Sequence, residues 1–128
     1  MTTSTGTDPS DGHAASLLDR QCIEEIRRIE QATGRGDVLS GFVVKLEAML
    51  QGFGPAFSDA VARGDTAAAE RAAHTLKGTC RQLGAQALGE LFADIERSAK
   101  TGDYAGAKRR FEDGAGLVAR SVEALKRA

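Results

Sequence analysis

A histidine followed at three residues by a lysine and at four by a glycine, in the run Ala73-His74-Thr75-Leu76-Lys77-Gly78, is the densest chemical feature of this chain. Neutral imidazole is a good nucleophile near pH 7, and its two ring nitrogens can be given different tasks. If one nitrogen donates a hydrogen bond, the other presents its lone pair. An ammonium three residues along a helix can lie beside whatever anion joins that lone pair. A glycine four residues along leaves bare backbone one turn above the ring. Glycine inside a helix costs on the order of 1 kcal/mol relative to alanine, so keeping one beside a histidine implies that something must approach closely. Arg81 adds a second positive group two turns on. The set suits a site that receives a phosphoryl group or docks against an acidic pocket.

A helix must hold these residues, and the apolar period supplies one. At about 100° per residue, Ala69, Ala72, Ala73, Leu76, Thr79, Cys80 and Leu83 fall within about 120°, a core-facing stripe, and His74 projects about 160° from its centre. Gly78 and Arg81 share the outer face with His74, and Lys77 stands at its edge. Taken alone, these residues leave a second reading open: a solvated surface histidine among ordinary surface cations.

The remaining sequence reads as more helices. Residues 1–16 are rich in Thr, Ser, Gly and Asp, have almost nothing to bury, and are expected to form a disordered tail that includes His13. From Leu17 onward the period is helical, with no alternating strand pattern. Gly36-Asp37, Gly64-Asp65 and Gly102-Asp103 each offer a left-handed helix end followed by a cap for the next helix, and Gly84 marks a fourth junction. Five helices are expected, at about 17–33, 37–63, 65–83, 86–101 and 103–127. The second is expected to cross Pro55 as one bent helix, because Val38, Phe42, Leu46, Met49, Phe53, Phe57 and Ala60 keep one phase. The last should bury Tyr104, Ala107, Phe111, Ala115, Val118, Val122 and Leu125. The first, with Cys22, Ile23, Ile26 and Ile29, is short enough to cover one end of the others. Short junctions make neighbours antiparallel. The expected architecture is all-α: one domain over 17–128, an antiparallel up-down-up-down four-helix bundle with an additional N-terminal covering helix.

Composition removes several classes. At 128 residues the chain holds one core, and a net charge of −1 does not suit a nucleic-acid binder. No apolar run approaches membrane-spanning length and no signal segment opens the chain, so a cytoplasmic protein is expected. Cys22 and Cys80 have no metal-ligand spacing and sit on apolar stripes, as buried free thiols would.

The segment His74-Thr75-Leu76-Lys77-Gly78, with Leu83-Gly84-Ala85 and Ile95-Glu96 behind it, closely resembles the histidine-containing phosphotransfer (HPt) domain of two-component phosphorelays. The resemblance covers about residues 19–125 and takes in the Gly-Asp junctions on either side. It implies a helical bundle in which His74 takes a phosphoryl group from a receiver-domain aspartate and passes it to another receiver. Lys77 would help neutralise the phosphoryl charge, which approaches −2, and Gly78 would clear space for the receiver. Such domains commonly carry a Gln or Glu that hydrogen-bonds the histidine. Glu96 occupies that position here and is expected to hold the ring with one nitrogen protonated and the other facing out. Docking is expected to involve Arg71, Arg81, Gln82 and Ala85. Arg81 and Gln82 are larger than the residues such domains often carry there. The implied partners are response-regulator receiver domains and a hybrid sensor kinase, with no nucleic acid and no membrane. A monomer is expected, and no cofactor of its own, magnesium being held by the receiver's acidic pocket.

Other classes fit less well. The dimerisation segment of a sensor kinase usually has an acidic residue directly after its histidine and a proline beyond, where this chain has Thr75 and no later proline. No glycine-rich ATP-binding segment is present, which argues against self-phosphorylation. A chemotaxis-kinase phosphotransfer domain would normally be followed by kinase domains. A metal-carrying bundle would need Glu-x-x-His motifs on facing helices. A non-catalytic helical adaptor remains the alternative. Met1 and the polar tail favour a free-standing protein.

Overall fold

The computed structural model describes residues 17–128, so the expected tail at 1–16 lies outside the described residues. Among the described residues six helices succeed one another: α1 Arg20–Thr33, α2 Val38–Ala62, α3 Thr66–Gln82, α4 Gln86–Lys100, α5 Tyr104–Asp113 and α6 Ala115–Arg127. The all-α bundle read from the periodicity is the observed fold, and the described residues contain no strand. The most extensive packing joins α3 to α4, then α2 to α3 and α4 to α5, with α6 against α2 and α4. α1 covers one end. Asp19 N–H donates to Gly84 O at 2.6 Å, Cys22 Sγ–H to Gln82 O at 3.1 Å, and Arg27 to the Ala128 carbonyl.

The junctions arise from local chemistry, with one departure. Gly64, Gly84 and Gly102 take left-handed φ values of 73°, 77° and 83°. Asp65 and Asp103 cap the next helices by accepting from Ala68 N–H and Gly106 N–H. At the first junction the expected pair is displaced. Gly34, not Gly36, holds the left-handed turn, and Asp37 makes no side-chain cap. Its carboxylate is 3.2 Å from Arg35 Nε instead. The cap of α2 comes from the previous helix, where buried Glu30 accepts from Leu39 N–H at 3.0 Å and from Arg27 at 2.7 Å.

α2 runs unbroken through Pro55. Proline deprives the Gln51 carbonyl of its helical donor, but Gln51 and Pro55 are both exposed, so water can serve that carbonyl. On the inner face Phe53 meets Phe57, Phe92 and Phe111 at centroid distances of 5.4, 5.2 and 4.8 Å, which ties α2 to α4 and α5.

The expected last helix is two. It breaks at Gly114, where a Cβ would stand 2.6 Å from Leu91 Cδ2 and 3.1 Å from Arg110 O. Glycine lets the chain pass close to α4 here without displacing the Leu91 side chain, and the last helical stretch is divided at this point. Ala107, Val122 and Leu125 are buried as expected, Tyr104, Phe111 and Val118 half-buried, but Ala115 is exposed. Ile29 and Phe42, also read as core-facing, are exposed, and Cys22 is half-buried where full burial was expected. Cys80 is buried, and burial pushes its thiol up to about 12.

Ser121 of α6 is fully buried and its hydroxyl has no hydrogen-bond partner among the described residues. Ser121→Ala should therefore raise stability by about 1 kcal/mol, read as a higher urea midpoint at unchanged slope, because it removes an unpaired polar group from the core.

Candidate functional site

α3 and α4 lie side by side, and the site is the strip where their outer edges meet. His74 comes from the middle of α3, because Ala69, Ala73, Leu76 and Cys80 turn the opposite face into the core. Its side chain is 65% exposed. Glu96 comes from α4, whose inward residues Leu88, Phe92, Ile95 and Ala99 bring position 96 to the edge of the buried stripe. The Glu96 side chain is only 6% exposed, although it carries a carboxylate.

That carboxylate is kept by its neighbours. Oε1 is 2.6 Å from Lys77 Nζ, and Oε2 is 3.0 Å from His74 Nδ1 and 3.5 Å from Lys100 Nζ. Burial pushes the Glu96 carboxyl up. The hydrogen bonds from Lys77 and His74 and the charges of Lys77 and Lys100 together outweigh burial, so the group is held below its ordinary value of 4.5. Glu96 is thus ionised at neutral pH and can only accept. Nδ1 must then carry the proton, and the lone pair of the neutral ring is on Nε2. No side chain among the described residues bonds Nε2. The result is an exposed imidazole with one nitrogen anchored and the other free to attack.

Gly78 stands one turn beyond His74. A Cβ built there meets nothing within 4 Å, and its φ is not in the left-handed region. Neither packing nor backbone conformation inside this chain requires glycine at 78. Its cost to the helix, on the order of 1 kcal/mol, is matched by no internal contact, which leaves the space above it for another molecule.

The expected docking residues scatter. Arg81 lays its stem across Gly89 of α4, with Cγ 3.2 Å from where a Cβ of Gly89 would be, and reaches within 3.7 Å of Glu90. Arg71 lies on the other flank, beside a shallow groove with Met49, Gly52 and Thr75. Gln82 is exposed at the end of α3, next to α1. Ala85 is not on the surface: it is 0% exposed, since its N–H closes the α3 end on Cys80 O at 2.8 Å and α1 packs over this turn. Lys100, not singled out from the sequence, joins the site. Its signal was the four-residue spacing from Glu96 on one helix.

The family model described as the Hpt domain matches residues 20–128. The chain belongs to the Hpt domain family. Over 84 residues, 66% of the chain, it is 35% identical to the sensor histidine kinase AruS of Pseudomonas aeruginosa, and the match spans 8% of that kinase's length. No solved structure matches the chain. Membership assigns this Hpt domain to histidine phosphotransfer in two-component signalling. No helix among its described residues is long and apolar enough to cross a membrane.

The carboxylate sets a pH limit on the domain. Glu96 has a folded-state pKa below its unfolded value, so its contribution to stability is full above about pH 4.5 and is lost as pH falls through the folded value. Urea midpoints measured from pH 6 down to pH 3 should fall for wild type, with a shallower fall in Glu96→Gln. Parallel curves would remove Glu96 from the account.

Proposed function

We propose that this Hpt domain accepts a phosphoryl group on His74 Nε2 from the aspartyl phosphate of a receiver domain and passes it to the aspartate of a second receiver. The observation that carries this reading is the exposed ring of His74, anchored through Nδ1 by a buried carboxylate that fixes the tautomer. In the forward step the Nε2 lone pair attacks phosphorus. The bond from phosphorus to the aspartate oxygen breaks, and its electron pair returns to the aspartate carboxylate. Nδ1 keeps its proton, so the phosphorylated ring becomes cationic while facing Glu96, which stabilises that charge. The return step runs the same way with a second aspartate as nucleophile. Gly78 admits the receiver, and Lys77 offers an ammonium to the phosphoryl oxygens. Arg71, Arg81 and Gln82 border the approach and would bear on which receiver docks.

The domain is then a carrier, with no ATP-dependent kinase activity of its own. A hybrid sensor kinase would supply the first receiver, and magnesium would sit in receiver pockets rather than here. A monomeric, cytoplasmic protein fits this role. Incubation with a phosphorylated receiver domain should move label onto the chain, as a phosphoramidate that is stable in alkali and lost in acid, mapping to His74. Label found at another residue, or none from any receiver tried, would leave only the adaptor reading.

A further inference from the structure

Gly89 of α4 is a second helical glycine beside the site, and its open side is not empty. It is buried, and a Cβ there would stand 3.2 Å from Arg81 Cγ, 3.8 Å from Arg81 Nε and 3.8 Å from Cys80 Cβ. Gly78 faces open space, whereas Gly89 faces the stem of an arginine from the neighbouring helix. Its φ is not in the left-handed region, so no backbone requirement explains it. A mid-helix glycine costs on the order of 1 kcal/mol relative to alanine. Here it opens a notch in α4, and the notch lays Arg81 down along the seam between α3 and α4.

That seat decides where the charge stands. Arg81 lies two turns beyond His74 on one helix, about 10 Å away by helical rise. Its side chain is 54% exposed, and Nη2 is 3.7 Å from Oε1 of Glu90, itself 71% exposed. This distance is too long for a hydrogen bond, so charge alone holds the pair and the guanidinium donors stay available. An exposed pair of this kind is weak and easily exchanged. Lys77 and Lys100 are both turned to Glu96. Arg81 is directed away from that carboxylate, to the far end of the face that surrounds His74.

We propose that Arg81, seated on Gly89 and clipped by Glu90, selects receivers that carry a carboxylate about 10 Å from their phosphorylated aspartate. This rests on the phosphotransfer reading of His74. The receiver's carboxylate replaces Glu90 on the guanidinium, so the clip opens toward an acidic partner and stays shut toward a neutral or basic one. A guanidinium can meet a carboxylate through two parallel N–H donors, which fixes orientation as well as charge. The selection acts at the edge of the interface, apart from the chemistry at Nε2.

Phosphoramidate, a small phosphoryl donor that needs no docking surface, separates selection from ring chemistry. Its phosphorus–nitrogen bond breaks as the Nε2–phosphorus bond forms, and ammonia leaves with the electron pair. Uptake of label from it should differ far less among variants than transfer from a receiver does. With a phosphorylated receiver that labels wild type, the second-order transfer rate at low salt should fall roughly three- to tenfold in Arg81→Ala. It should fall by a smaller factor in Gly89→Ala, whose Cβ lifts the arginine stem, and rise in Glu90→Gln. High salt should shrink the Arg81→Ala loss. Glu90→Gln should change nothing in an Arg81→Ala background, because the clip acts through Arg81. When acidic surface residues of the receiver are neutralised one at a time, one should slow transfer to wild type and leave transfer to Arg81→Ala unchanged. Full transfer in Arg81→Ala or Gly89→Ala, an equal gain from Glu90→Gln with and without Arg81, or no receiver carboxylate coupled to Arg81 would overturn the inference and leave His74 as acceptor. No transfer from any receiver to a chain that phosphoramidate labels would remove the phosphorelay reading and this inference with it.

Discussion

His74→Gln leaves the bundle folded and abolishes phosphoryl acceptance. The loss should be complete, not graded. An amide nitrogen is not a nucleophile at neutral pH, and the only other histidine in the chain, His13, lies at a distant position in the sequence. The fold should hardly notice, because the imidazole is exposed and contributes nothing to the core. Surface substitutions of this kind usually change stability by less than about 0.5 kcal/mol. The substitution removes the Nδ1–H donor to Glu96, and a glutamine amide can donate in its place. Labelling by a phosphorylated receiver, run beside circular dichroism and thermal melting, checks both halves. A folded variant that still took up label would place the acceptor elsewhere.

This expectation separates two roles that a helix can give one residue. His74 is positioned by α3 but is not needed by it. Glu96 is the reverse: its acidity depends on the packing of α4 against α3, and it reaches the ring only because Phe92, Ile95 and Ala99 fix the phase of α4. Substitutions that loosen this core should therefore weaken transfer without touching the site. Phe53 and Phe92 stand at that point, edge to face at 5.2 Å.

The same division explains what could be read from the sequence. Helix phases came from apolar period, and with them the outward direction of His74, Lys77 and Gly78 on α3. Interactions within one helix or across one short turn are local, and residue spacing encodes them. Three features are not local. The cap of α2 is Glu30, nine residues before Leu39 and on another helix, so the Gly36-Asp37 pair misled. The break at Gly114 lies where the chain passes close to Leu91 of α4, and nothing within 103–127 announces it beyond a cluster of glycines. Ala85 follows the Leu83-Gly84 pair in the junction between α3 and α4, where α1 and the turn at Gly84 cover it. Each depends on which helix lies where, and spacing along the chain carries no such information.

Gly78→Leu should stabilise the domain while blocking its function. A Cβ at 78 meets nothing within 4 Å, so a larger side chain extends into open space. Replacing a mid-helix glycine with leucine should raise stability by about 0.5–1 kcal/mol through helix propensity alone. The same side chain stands one turn above Nε2, in the path of a receiver whose aspartyl phosphate must come within bonding distance. Displacing a partner from the centre of an interface costs about 2–4 kcal/mol, so receiver-dependent transfer should fall roughly a hundredfold or more. Phosphoramidate, too small to meet the leucine, should label the variant almost as fast as wild type. The three readouts must diverge: higher urea midpoint, near-normal chemical labelling, abolished receiver transfer. If receiver transfer persisted beside a higher midpoint, the glycine would be a mere cost to the helix, and the close approach inferred from it would be wrong. Loss of both kinds of labelling would instead mean that leucine disturbs the Nδ1 anchor on Glu96, and the defect would lie in the ring rather than in docking.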